Sequence, residues 1–169
     1  MGVTIHYSGQ LKSNNDFSEV ISIAKDFAIS NEMIYSIFEE TDEVLLRVKD
    51  EKEIEYQGPT KGIRIQPSDN CEPLLFEFDS DNYMQDYCKT QFSGVEIHIK
   101  IIRLFQEIEV HFDKLIVDDE GEFWETNDVE ILQEHIDNCF GQMENLKREN
   151  SKYSGPYREA NGRIVDLMS

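Results

Sequence analysis

The side chains best suited by type and spacing to do chemistry in this 169-residue chain gather around His98. His98 falls on the apolar side of a helical repeat that continues through Ile101, Ile102, Phe105 and Ile108, within one turn of its start. A neutral imidazole there is suited to accept a proton or a metal. The lead-in Lys89-Thr90-Gln91-Phe92 is polar where a core connection could have been apolar. This pattern predicts a small polar pocket in which Lys89, Gln91 and His98 meet carboxylates from the strands. The alternative is a core histidine hydrogen-bonded to a backbone carbonyl. No nucleophile signature accompanies the histidine.

A second concentration is acidic. Asp118-Asp119-Glu120, Glu122, Glu125, Asp128 and Glu130 have no base among them. Carboxylate clusters of this kind can hold Ca²⁺ or Mg²⁺, but a calcium loop needs alternating acids with Gly at the sixth position, and here Gly121 comes fourth after Asp118. A solvated edge is one reading. The functional one is a partner-binding patch, Asp118, Glu122, Trp124 and Glu125, in which the single tryptophan is an aromatic anchor ringed by charge. His135 and Cys139 share a helix face at metal-ligand spacing, without a matching second pair. Lys61, Arg64 and Lys89 could gather a phosphate, but no glycine-rich loop leads into a helix. No metal and no cofactor are expected.

These residues need a frame. Val3 to Tyr7 alternates as a strand. Asp16 with Glu19 predicts a capped helix start, followed by Phe17, Val20, Ala24 and Phe27 at helical spacing. Ile34 to Tyr56 predicts two or three short antiparallel strands with one wet face. Gly58-Pro59 signals a turn, Gly62–Gln66 and Leu74–Phe78 strands, and 79–82 a turn. Ser93 with Glu96, and Phe92 against Ile97, predict a capping box and staple opening a helix from Gly94 to about His111. Leu115–Val117 reads as a short strand. Asn127 with Glu130 caps a last helix along Val129, Leu132, Ile136, Cys139, Met143 and Leu146. The expected fold is α+β, a mostly antiparallel sheet with about three helices packed on it. Residues 1–150 form one domain, and 151–169 a tail docked as an edge strand.

The succession Gly62-Ile63-Arg64-Ile65-Gln66-Pro67, Glu72-Pro73-Leu74, Phe76-Glu77-Phe78-Asp79, Lys89-Thr90-Gln91-Phe92-Ser93-Gly94 with His98, then Val117-Asp118-Asp119-Glu120-Gly121-Glu122-Phe123-Trp124 resembles a group of bacterial hypothetical proteins. The likeness spans roughly residues 62–135. It implies a bacterial origin and a compact fold but no activity, and it draws attention to Lys89, Gln91, His98, Asp119 and Glu120 as a common site.

Charge narrows the function classes. Thirty-five acids against 16 bases give a formal net charge of −19. Nucleic acid and anionic membrane surfaces are disfavoured partners, because both need Lys and Arg. A basic protein partner is favoured. Three widely spaced cysteines without a CxxC indicate a reducing compartment. With no apolar run of membrane length and no basic-then-apolar leader at Met1–Ser13, a cytoplasmic protein is expected. The sequence therefore predicts an acidic binding module, with an immunity-type antagonist of a basic partner as its sharpest form. The alternative is a small-ligand binder or enzyme built on Lys89, Gln91, His98 and Asp119.

Overall fold

A computed structural model of the chain describes residues 2–169. The elements run β1 (Thr4–Leu11), α1 (Asn14–Ser30), β2 (Ile34–Lys49), β3 (Lys52–Gln66), β4 (Leu74–Phe78) and β5 (Tyr83–Lys89). They continue with α2 (Val95–Ile108), β6 (Phe112–Asp119), α3 (Phe123–Thr126), α4 (Val129–Glu149), β7 (Tyr157–Arg158) and β8 (Ile164–Val165). The fold is α+β in a single domain, with antiparallel sheets.

Two three-stranded sheets form its frame, ordered β5-β1-β6 and β2-β3-β4. Their inner faces carry Ile5, Tyr7 and Leu11 on one and Ile63, Ile65, Leu74, Phe76 and Phe78 on the other, all buried. The apolar stripe of α2 packs on both, with the Phe105 ring 4.9 Å from Tyr7 and 5.7 Å from Phe76. Tyr7 also links the sheets through polar bonds. Its hydroxyl donates to Leu75 O at 2.7 Å and accepts from Leu75 N at 3.3 Å. The opposite face of β5-β1-β6 is wet, with the cross-strand row Tyr87–His6–Asp118 pointing away from the core.

Several local expectations change. The segment 34–66 is one long hairpin rather than short strands, and Gly58-Pro59 lies inside β3, opposite the register shift between Glu40 and Glu43. Proline is tolerated at such a bulge because its missing N–H leaves no ladder bond broken there. Helix α1 starts earlier than Asp16, at Asn14, and the hydroxyl of its N-cap Ser13 donates to Asp16 Oδ2 at 2.6 Å. Helix α2 has Gly94 as its N-cap, with φ 90°, and Ser93 turns back to donate to Thr90 O. The cap of α4 is Asp128, one residue after Asn127, and its carboxylate accepts from Glu130 N and Ile131 N. The acidic loop contains a one-turn helix, α3, and β5 is a strand the sequence patterning left unassigned.

The turn joining β2 to β3 is Asp50-Glu51, with both residues left-handed at φ 52° and 62°. A two-residue hairpin of this twist favours Asn-Gly, and each side chain with a Cβ costs about 1 kcal/mol there. The variant Asp50→Asn/Glu51→Gly is therefore expected to raise stability by about 1 kcal/mol. In urea titration it should shift the midpoint upward at an unchanged slope.

Candidate functional site

Beginning at the end of β6, Leu115, Val117 and Asp119 all point inward, because strand side chains alternate. The third of these positions is therefore a carboxylate buried to 3 % exposure. Asp119 Oδ1 accepts from Gly121 N at 2.8 Å, and Oδ2 from Phe123 N at 2.9 Å and Trp124 N at 3.0 Å. It thereby holds the turn and the first amides of α3, the usual work of a carboxylate at a helix start. A Cβ at Gly121 would lie 2.5 Å from Leu132 Cδ1 and 3.2 Å from both Asp119 Oδ1 and His98 Cε1, so a larger residue there would displace these side chains.

His98 reaches the same carboxylate from α2. Its Nε2 is 2.9 Å from Asp119 Oδ1. Its Nδ1 is 2.6 Å from the Thr90 hydroxyl. Burial alone would raise the Asp119 carboxyl. The contact with His98 and the amides of Trp124 and Gly121 outweigh it and hold the group below the usual carboxylate range.

Hydroxyl, imidazole and carboxylate thus stand in line, in the order of a nucleophile, a base and its orienting acid. Thr90 and His98 are fully buried, however. The line joins three elements at the molecule's centre: the end of β5, the first turn of α2 and the end of β6.

The other expected site residues divide: Glu120, Glu122, His135 and Cys139 line an open cavity of about 500 Å³ with Asp119, while Gln91 and Lys89 are taken up elsewhere. Gln91 is buried beside this line and accepts from Val3 N at 2.7 Å, tying down the start of β1. Lys89 leaves the group altogether, bonding Ile164 O at 2.8 Å and Asp166 Oδ1 at 2.7 Å in the tail. Glu120 is exposed on the wet face, 3.4 Å from His6 Nε2. On the acidic turn, Glu122 pairs with His135 Nε2 at 2.6 Å, so that histidine faces a carboxylate while Cys139 is buried in the core. Trp124 is half-buried against the core, and Glu125 is exposed. Among the described residues, no three His, Cys, Asp or Glu side chains gather as a metal would require.

Sequence patterning missed a groove of about 410 Å³ between the outer half of the β2–β3 hairpin and the wet face of β5-β1-β6. Leu46 and Arg47 form one wall, and Tyr87, Ile116, His6 and Asp118 line the other. Arg47 closes the seam. It is 6 % exposed and donates through Nη1 to Gln85 O and through Nη2 to Glu77 O, carbonyls on strands of the two different sheets. Beside it the Gln85 side chain acts as a short strand, accepting from Val48 N and donating to Val48 O, both at 2.7 Å. The hairpin arm held in this way displays Val44, Leu46 and Val48 on one face, 55 %, 82 % and 52 % exposed. Glu53 and Glu55 stand opposite Val48 and Leu46 in register.

No protein-family model matches this chain, and neither does any curated protein or solved structure. Function must therefore be argued from the site itself. Two features stand out: the buried Thr90–His98–Asp119 line and the open groove under the arm. The groove joins polar groups to a wall of exposed apolar side chains, Leu46, Tyr87 and Ile116.

The tail carries a further polar cluster, which meets the groove at Asp86 and Tyr87. Residues of β7 and β8 pair with each other as a two-stranded sheet of their own. Arg163 Nη1 lies 2.8 Å from Glu72 Oε2, and Nη2 lies 2.5 Å from Asp86 Oδ1, while its guanidinium stacks 3.8 Å over the Tyr87 ring. These contacts keep the guanidinium charged well above its ordinary range although burial acts against it. Arg158 donates to Asp69 O and Cys71 O.

Proposed function

We propose that this protein is an acidic protein-binding module that captures a basic protein partner on the groove beneath the β2–β3 arm. The observation that carries the reading is the exposed apolar stripe Val44-Leu46-Val48 beside a groove that Leu46, half-exposed Tyr87 and half-exposed Ile116 line, on a chain of net charge −19. Apolar side chains presented together in this way mark an interaction surface. The carboxylates of Asp118, Glu120, Glu53 and Glu55 around them favour Lys and Arg on the facing protein and speed its approach. An antagonist of the immunity type, which neutralises a basic toxin by covering it, fits this chemistry. The fully buried Thr90–His98–Asp119 line supports a ligand-binding or enzymatic reading less well. Thr90 and His98 are closed to solvent, although an open cavity of about 500 Å³ reaches Asp119.

Affinity capture with the tagged protein from its source cells, at low and then high salt, tests the reading. A basic protein should be retained at low salt and released at high salt, because surface ion pairs are screened within about 10 Å at 0.1 M. Leu46→Asp should weaken that retention by at least about tenfold, as loss of a central apolar anchor does. Asp118→Lys should weaken it less and flatten the salt dependence. Retention that survives both changes but fails in Trp124→Ala would move the surface to the acidic turn. Empty capture under both salt conditions would count against a basic protein partner.

A further inference from the structure

Two of the three thiols face each other beneath the tail. Cys71 Sγ, on the connection between β3 and β4, lies 3.8 Å from Cys88 Sγ on β5, and both residues are fully buried. The two chain segments are held in register by Glu72 N donating to Lys89 O. Each thiol also points across the pair, Cys71 Sγ to Lys89 O at 3.6 Å and Cys88 Sγ to Glu72 O at 3.4 Å. The sulfurs are in van der Waals contact, and a disulfide needs them to close by less than 2 Å.

The cover over this pair is polar and comes from the far end of the chain. Arg158 bonds Cys71 O, Arg163 bonds Glu72 and Asp86, and Lys89 bonds Ile164 O and Asp166. Both segments that carry the sulfurs are thus tied to residues 158–166, and a reagent reaches the thiols only when those ties open.

We propose that Cys71 and Cys88 form a reversible redox site, oxidised to an intramolecular disulfide by a small-molecule disulfide such as oxidised glutathione and gated by the Arg163 clasp. One protein thiolate attacks a sulfur of the glutathione disulfide, forming a mixed disulfide and releasing one glutathione thiolate. The second protein thiol then attacks the protein sulfur of that mixed disulfide and releases the other glutathione. The two thiol protons end on the two released glutathiones. Two electrons pass from the protein pair to the glutathione disulfide, and the cycle reverses in excess reduced glutathione. Contact with Cys71 and burial push the Cys88 thiol up, so exchange quickens as the pH rises. Cys139, on α4, has no cysteine partner and serves as the internal control.

The test holds the folded protein at pH 8 in glutathione buffers of rising oxidised fraction, quenches with acid, alkylates under denaturing conditions and maps the peptides by mass. The expected product has lost two hydrogens, joins the Cys71 and Cys88 peptides, leaves Cys139 alkylated and reverts in dithiothreitol. Arg163→Ala should accelerate its formation several-fold at an unchanged end point, and Cys88→Ser should abolish it. If Cys71 and Cys88 both remain fully alkylated after prolonged exposure to oxidised glutathione, in the wild type and in Arg163→Ala alike, the proposal fails. It fails equally if the recovered link joins Cys139 instead.

Discussion

Asp119→Ala should lose about 3–5 kcal/mol of folding stability, because several buried donors lose their acceptor at about 1–3 kcal/mol each. The substitution strands the His98 ring, which is fully buried, and frees three amides that the carboxylate now holds at 2.8–3.0 Å. Asp119→Asn keeps one acceptor oxygen and should recover part of that loss. The pH dependence has a definite sign. Because the folded carboxyl is held below its ordinary range, its contribution is complete above the unfolded carboxylate pKa of about 4 and is lost as the pH falls through the lower folded value. The stability gap between the wild type and Asp119→Asn should therefore be widest near neutral pH and shrink in acid. Urea titrations of the pair at several pH values measure that gap. Trp124, whose amide the carboxylate holds, reports the same region by its emission, which should shift to the red in the variant before the fold is lost. A gap that grows in acid would mean that the carboxyl is not held as its contacts indicate.

Parts of this arrangement were legible in advance and parts were not, for physical reasons. The stripe of α2 was legible because one helix face packs on both sheets, which leaves the 3.6-residue period unbroken from His98 to Ile108. The burial of Asp119 was within reach too: extending the alternation of Leu115 and Val117 by one more step turns that carboxylate inward, out of an acidic run that otherwise faces water. Strand β5 gave no such signal. Its inward residues include half-buried Asp86, which is paired with Arg163 from 77 positions away, so no local pattern could mark its inward orientation. The Asp50-Glu51 turn was hidden for a different reason, since Glu51 stands where a left-handed turn prefers glycine. The groove is a relation between two sheets, and no window on the sequence contains both of its walls.

The residue that relates those walls is Arg47, and Arg47→Met is expected to be among the most damaging single changes on the protein's surface layer. Its guanidinium bridges carbonyls of Glu77 on β4 and Gln85 on β5, sequence neighbours whose sheets have separated and whose edges face each other unpaired. A hydrogen bond to a charged donor contributes about 1.5–3 kcal/mol, and a buried carbonyl left bare carries a further penalty. Two considerations pull the other way. Among the described residues, Arg47 Nε is buried without a partner, a penalty that methionine removes, and methionine retains most of the packing of the stem. The net expectation is a loss of about 3 kcal/mol. Arg47→Lys should lie between, because one ammonium cannot span both carbonyls as the planar fork does. The location of the damage matters more than its size. Hydrogen exchange should quicken first in residues 43–57, the arm, while amides of β1 and β6 stay protected, because only the arm loses its anchor. With the arm released the groove loses a wall, so capture of a basic partner should fail under conditions in which the rest of the fold persists. If the arm amides stay protected in Arg47→Met, the Gln85–Val48 pair alone holds the arm, and Gln85→Ala then becomes the variant that opens it.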